Sequence, residues 1–217
     1  MLSRTPEPEL MDDREQAEAY AAADFATTDA ACAEAFLAAF ALPQGARVLD
    51  LGCGPGNMVW QLARLRPDLE FVGWDGAPAM ITLARARQGL PTIAFEVVTL
   101  PAAEAPAAAF DAVISNSLLH HLHEPQVLWH TITRVARPGA PFFIQDLRRP
   151  ASAEAAAGLV ATHAADAPDV LRRDFLASLH AAFTVDEVLK QLQLHDFQEV
   201  VVEGIGDRHL RVRGRVP

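Results

Sequence analysis

From Arg47 onward, short runs of apolar and β-branched residues alternate with stretches of helical pattern, and this alternation narrows the fold more than any other feature of the chain. The runs are ARVLDL (46–51), EFVGWD (70–75), TIAFEVV (92–98), FDAVISN (110–116) and APFFIQDL (140–147). Each is apolar enough to be buried on both sides, as strands of a parallel sheet covered by helices must be. Pro55-Gly56, Pro78 and Pro125 open helical stretches at 57–66, 78–88 and 125–136, each proline standing where a first-turn amide has no partner anyway. Arg137-Pro138-Gly139 stops the last of these. The pattern predicts five parallel strands in an α/β sandwich.

Two regions fall outside the repeat. Residues 9–41 read as two alanine-rich helices before the first strand, and residues 149–183 as one or two helices inserted after the fifth. Thr184 and Glu187 then form a capping box, in which each side chain satisfies the other's free amide at the start of a helix running to about Leu194. FQEVVVEG (197–204) and DRHLRVRG (207–214) follow as strands joined by Ile205-Gly206, too short a link for a parallel crossover, so they pair antiparallel. A chain of 217 residues commonly forms one domain. The expected division is a helical cap (1–45), a ligand-binding core (46–148), a helical insertion (149–183) and a C-terminal helix with its strands (184–217).

The formal net charge of −10 repels a nucleic-acid polyanion at long range, so no nucleic-acid partner is expected. Arg208 to Arg215 is basic, and reads as an edge strand of alternating charge. Alanine inflates the hydrophobic share of 51%, and no uninterrupted apolar run approaches the ~20 residues of a membrane-spanning helix, so no membrane partner is expected either. Residues 1–16 carry acidic charge where a secretory leader would carry a basic patch and an apolar run, which makes the cytoplasm the default expectation. Cys32 and Cys53 form neither a disulfide framework nor a metal-ligand pair, and read as reduced thiols.

In VLDLGCGPGN (48–57), glycines at 52, 54 and 56 stand directly between a strand and a helix. Each costs chain entropy, and together they let backbone approach a nucleotide-type ligand. Nicotinamide enzymes use G-x-G-x-x-G, whereas here the third glycine falls one position early, at Gly56. Asp50, just ahead of the glycines, would repel a pyrophosphate and favour a cationic ligand such as a sulfonium amino acid. The residues therefore favour S-adenosylmethionine over NAD.

The D-x-G-x-G-x-G run of Asp50, Gly52, Gly54 and Gly56 resembles motif I of class I S-adenosylmethionine-dependent methyltransferases. FVGWDGAPAMITLARAR (71–87), SNSLLHHLHEPQ (115–126) and RVARPGAPFFIQD (134–146) are similar to later segments of that family, in the family's order. The resemblance implies a doubly wound, Rossmann-like seven-stranded sheet of order 3-2-1-4-5-7-6 with the seventh strand antiparallel. It also implies S-adenosylmethionine as cofactor, with Asp75 accepting both ribose hydroxyls as one carboxylate can, and with Gly76, Met80 and Asn116 beside it. His121 takes the histidine position that borders the cofactor. Where the family commonly has an acidic adenine contact this chain has Thr99, so adenine falls to Thr99 and Leu100 backbone or to Glu104.

Methyl transfer is an in-line displacement that depends mainly on positioning, so a dedicated base is optional. The segment Asn116-Ser117-Leu118-Leu119 lacks the N-P-P-Y pattern of enzymes that methylate exocyclic amines, and neither a Pro-Cys nucleophile nor a catechol-type carboxylate cluster occurs. A small polar acceptor, plausibly anionic, is the remaining expectation. Asp146 and Arg148 end the fifth strand while Arg208 and His209 begin the antiparallel one, so they should meet at one edge of the pocket. The two arginines are expected to hold an anion, and Asp146 or His209 to orient or deprotonate the nucleophile; an Asp146 bridge to Arg148 or Arg208 is the competing reading. Tyr20, the only tyrosine, is expected to face the substrate from a lid. Arg172, Arg173 and His180 read as a solvated face. His120, His121, His123 and His130 crowd together without a cysteine or carboxylate at standard ligand spacing, so no metal is expected. An enzyme that modifies or cleaves S-adenosylmethionine, and a catalytically silent binding scaffold, stay open beside methyl transfer.

Overall fold

The computed structural model describes residues 2–8, 10, 12, 14–23, 25–87, 91–102 and 104–217. Two helices, α1 (Arg14–Ala22) and α2 (Ala26–Ala39), precede β1 (Arg47–Leu51). Then follow α3 (Asn57–Leu65), β2 (Glu70–Asp75), α4 (Pro78–Ala86), β3 (Ile93–Val97), β4 (Ala112–Asn116), a 3₁₀ turn (Leu119–His121), α5 (Gln126–Val135) and β5 (Pro141–Leu147). The insertion is two helices, α6 (Ala153–His163) and α7 (Asp169–Ala181), before α8 (Val185–Leu192), β6 (Gln198–Ile205) and β7 (His209–Arg215).

The sheet order is β3-β2-β1-β4-β5-β7-β6. β1 to β5 are parallel, and β7 runs antiparallel to both β5 and β6, as the short Ile205-Gly206 link requires. Every residue of β5 is buried, because Phe142 packs with Trp129 and Val188 on one face while Phe143 packs with Phe36 and Leu62 on the other. The helices contribute apolar stripes at helical spacing, such as Met58, Val59, Leu62 and Ala63 on α3. Thr184 and Glu187 form the expected capping box, with Thr184 N donating to Glu187 Oε2 at 2.8 Å and Glu187 N to Thr184 Oγ1 at 3.3 Å. β6, at the sheet edge, is largely exposed and carries a register irregularity between Gln198 and Val201, a feature that discourages further strand pairing.

The start of the chain departs from the helix expected from residue 9. Residues 9, 11, 13 and 24 of that expectation, and residue 88 of the helix expected over 78–88, lie outside the described residues. Residues 2–8, 10 and 12 are not helical, since Pro6 and Pro8 lack amide donors and push their predecessors toward extended backbone. They cross the carboxyl end of the sheet instead. Leu2 N donates to Ala151 O and Thr5 N to His180 O. Arg4 donates to Ala181 O at 2.6 Å, to His120 O at 3.1 Å and to Leu122 O at 3.0 Å, with its guanidinium over the Phe183 ring.

Candidate functional site

The carboxyl ends of the parallel strands open into a cavity of about 640 Å³, with α1 and α7 contributing Tyr20 and Phe175 to its wall. An opening at that end of an open α/β sheet is where ligands of this architecture bind. α1 is tied to α7 by Gln16 Nε2 donating to Asp174 Oδ2 at 2.8 Å, and it packs on the start of α4 through Ala17, Ala77 and Met80.

On the β1–β2 side, Asp75 ends β2 with its carboxylate accepting Gly54 N–H through Oδ2 and Ala77 N–H through Oδ1, both at 2.8 Å. Each oxygen keeps a further lone pair, so the group is still able to accept two bonds from a vicinal diol. Gly52, Gly54 and Gly76 line the cavity beside it, as do Met80, Thr99, Leu100 and Asn116. Glu104 is exposed and does not line it, leaving Thr99 and Leu100 for that edge. Gly56 is not a lining residue either. It starts α3 at φ +82°, and a Cβ there would meet Phe95 Cζ at 2.6 Å. Gly56 serves the turn and its packing.

Asp50, next to the end of β1, lies in the cavity wall, is 2% exposed, and neither carboxylate oxygen has a hydrogen-bond partner. Burial, followed by the charges of Asp75 and Asp29, pushes its carboxyl well above the usual range. Asp29 of α2, also lining the cavity, is raised to about 6 by burial, against the opposing charge of Arg87. An unpartnered buried carboxylate is costly, so this wall suits a ligand that brings positive charge. S-adenosylmethionine carries a sulfonium, an ammonium and a ribose diol, and Asp50, Asp29 and Asp75 supply matching groups. No signal in the sequence pointed to Asp29, which reaches the site only because α2 packs over β4 and accepts a bond from Asn116 Nδ2 at 3.3 Å.

At the β5–β7 side, Leu147 pairs with His209 across the strands, and both line the cavity. Period-two alternation therefore turns Arg148 to the other face. Its side chain packs over Gly204, and Nη2 donates to Gly206 O at 3.1 Å and Asp207 O at 3.3 Å. The expected pair of arginines is thus corrected to one. Arg208 lines the cavity within hydrogen-bond reach of His163, which pairs with Asp207 at 2.6 Å. Burial, then the Arg208 charge, lowers the His209 imidazole to about 4, keeping it neutral at neutral pH.

Asp146 is also corrected. It is 1% exposed and absent from the cavity wall, and its partner is neither Arg148 nor Arg208. Oδ1 lies 2.5 Å from His120 Nδ1 and accepts Leu147 N–H at 2.6 Å, while Oδ2 accepts His120 N–H at 3.3 Å. Thus His120 faces the cavity with Asp146 behind it. Burial alone would lower the His120 pKa, but the Asp146 charge and hydrogen bond, together with Glu7, raise it. His121 lines the cavity too, its imidazole lowered to about 3 by burial and then by His120. Tyr20 lies in the wall beside Phe25, their ring centroids 4.8 Å apart, and burial followed by Asp29 raises its phenol so that it stays protonated. Arg173 is mostly exposed, in line with a solvated face.

Residues 42–196 match the family described as "Methyltransferase domain". Among curated relatives, a trans-aconitate 2-methyltransferase of Variovorax paradoxus is 36% identical over 113 residues, covering 52% of this chain and 43% of that protein. A malonyl-[acyl-carrier protein] O-methyltransferase of Legionella pneumophila is 36% identical over 93 residues, covering 41% of this chain and 32% of that protein. The matches thus span less than half the length of these relatives. The structure of a SAM dependent methyltransferase from Aquifex aeolicus has the same fold, with a TM-score of 0.70 at 19% identity, covering 94% of this chain and 99% of that one. A Haemonchus contortus phosphoethanolamine N-methyltransferase 2 bound to S-adenosyl-L-methionine superposes with a TM-score of 0.73 at 14% identity, covering 94% of this chain and 57% of that one. With a family match over most of its length and the observed strand order, the chain belongs to the class I S-adenosylmethionine-dependent methyltransferases.

Proposed function

We propose that the chain transfers a methyl group from S-adenosylmethionine to a small polar acceptor that carries an anionic group. The observation that supports this most is the wall of the cavity at the strand ends, which holds unpartnered Asp50 with Asp29 and Asp75, and also Arg208, whose guanidinium lies 3.2 Å from Asp207. When bound, the cofactor supplies an electrophilic methyl group on a positively charged sulfur. Asp75 holds the ribose diol, Asp50 and Asp29 favour the cation, and Thr99 and Leu100 border adenine beside Asn116. Arg208 orients the acceptor through charge-assisted hydrogen bonds, which are stronger and more directional than neutral ones. His209, neutral and adjacent, receives a proton where the nucleophile arrives protonated. Asp146 acts at one remove by fixing the His120 ring, and Tyr20 closes the cavity with its phenol as a donor.

The names of the relatives favour the same chemistry, since trans-aconitate is an organic anion. The net charge of −10 favours a small acceptor over nucleic acid. Incubation of the full chain with methyl-labelled S-adenosylmethionine and paired carboxylates and amides tests the reading. Label in the carboxylates alone is expected; loss of S-adenosylmethionine with no acceptor present, or label in RNA, would overturn it.

A further inference from the structure

Glu7 lies where no motif would have placed it. The extended segment at the start of the chain, latched by Arg4 to three carbonyls, carries the Glu7 side chain against the 3₁₀ turn, where it is 9% exposed. Glu7 Oε1 is buried and makes no hydrogen bond. It sits 3.4 Å from His120 Nε2 and 3.4 Å from His121 Nδ1, and the three donor atoms all lie within 4.8 Å of one another. Ligands bonded tetrahedrally to zinc at about 2.0–2.1 Å stand about 3.4 Å apart.

We propose that Glu7, His120 and His121 form a binding site for a divalent transition metal of zinc's coordination type, two imidazoles and one carboxylate with a fourth position left for water or an acceptor oxygen. The outer groups are those such a site requires. Asp146 takes the other ring nitrogen of His120 at 2.5 Å, which directs Nε2 toward Glu7. Ser178 Oγ donates to Glu7 Oε2 at 3.3 Å, leaving Oε1 as the ligand atom. His121 binds as the neutral ring, exchanging the 3.3 Å approach of its Nδ1 to Pro8 O for the metal bond. A cation at this point also compensates the buried carboxylate oxygen, which makes no hydrogen bond and is otherwise costly. Sequence spacing conceals the set, because Glu7 is more than 110 residues from the histidines.

His120 and His121 line the cavity, so an acceptor oxygen on the fourth position would be polarised by the metal. That consequence rests on the methyl-transfer reading; the metal site itself does not. The test is calorimetric titration of the chelator-treated full chain with Zn²⁺, paralleled by Co²⁺ and its visible absorption. One tightly held ion per chain is expected, with tetrahedral-type Co²⁺ absorption. Glu7→Gln and His121→Ala each weaken binding tenfold or more, and Asp146→Asn weakens it about 10–100-fold, as loss of an outer partner does elsewhere. The double variant His130→Ala with His195→Ala, a histidine pair far from Glu7 in sequence and on other elements, retains wild-type affinity. Zn²⁺ raises the wild-type melting temperature, and Glu7→Gln, folded by circular dichroism, loses that increment. Absence of 1:1 binding, or affinity indifferent to Glu7→Gln and His121→Ala, overturns the site. S-adenosylmethionine affinity of the metal-free chain, measured in the same experiment, reports separately on the methyl-transfer reading.

Discussion

The backbone amide of Gly54 donates to Asp75 Oδ2 at 2.8 Å, so the glycine loop after β1 and the acidic end of β2 are a single hydrogen-bonded unit. Removing the carboxylate takes away the diol acceptor and frees the loop together. Asp75→Ala is expected to weaken S-adenosylhomocysteine binding by ~1.5–3 kcal/mol, the scale of hydrogen bonds to a charged group. Asp75→Asn, which keeps an acceptor, should lose less. Calorimetry showing unchanged affinity in the alanine variant removes Asp75 from the ribose.

Asp29 makes stability depend on pH in a defined direction. Its folded carboxyl lies at about 6 against an ordinary 3.8, burial being the first cause, with Arg87 opposing. Asp50, Tyr20 and Cys32 feel the same charge. Between those two values the folded state holds a proton that the unfolded chain has released. Stability from this group is therefore lost as pH rises from about 4 to about 6. Asp29→Asn is expected to gain on the order of 1–3 kcal/mol over wild type above pH 6 and little below pH 4. Melting curves of both proteins across that range check it; parallel curves would mean that Asp29 ionises freely.

The two arginines expected at the acceptor edge should now behave differently. Arg208→Ala removes a charged donor from the cavity wall and is expected to cut kcat/KM for the acceptor about 10–100-fold, with cofactor affinity retained. Arg148→Ala, which loses contacts to Gly204, Gly206 and Asp207 on the far face, should leave acceptor kinetics within about twofold and lower stability slightly. Equal kinetic losses in both variants would contradict the orientation of Arg148.

Gly56 combines a left-handed backbone with a close neighbour. At φ +82°, with Phe95 Cζ 2.6 Å from where a Cβ would stand, Gly56→Ala is expected to destabilise the chain by about 2–4 kcal/mol from conformation and crowding together. The double variant Gly56→Ala with Phe95→Leu should recover part of the crowding cost, a coupling that denaturant titration measures.

The covering segments are predicted to order around bound ligand. Tyr20 of α1 and Phe175 of α7 line the cavity, the Gln16–Asp174 bond ties the two helices, and Arg4 ties residues 2–8 to Ala181 at the end of α7. Hydrogen exchange with S-adenosylhomocysteine and acceptor present should slow in all three. Protection confined to residues 52–57 would show that they do not act as a cover.

Read alone, the sequence determined the layered sheet, because strand alternation, proline-opened helices and the Ile205-Gly206 link are local signals whose geometry admits few solutions. It also brought Asp50, Gly52, Gly54 and Asp75 together, since they are separated by one strand–helix–strand unit and therefore meet at the strand ends. The arrangement at the β5–β7 edge was decided by tertiary structure. Arg148 follows the alternation of β5 away from the cavity, whereas Arg208 lies in the turn before β7, outside that alternation, and lines it; Asp146 was taken up by His120 because the 3₁₀ turn docks on β5. Asp29 and Glu7 carried no local signal at all. Their positions follow from long-range packing, of α2 over β4 and of an extended, proline-bearing segment across α7, and contacts between residues more than eighty positions apart leave no spacing to read.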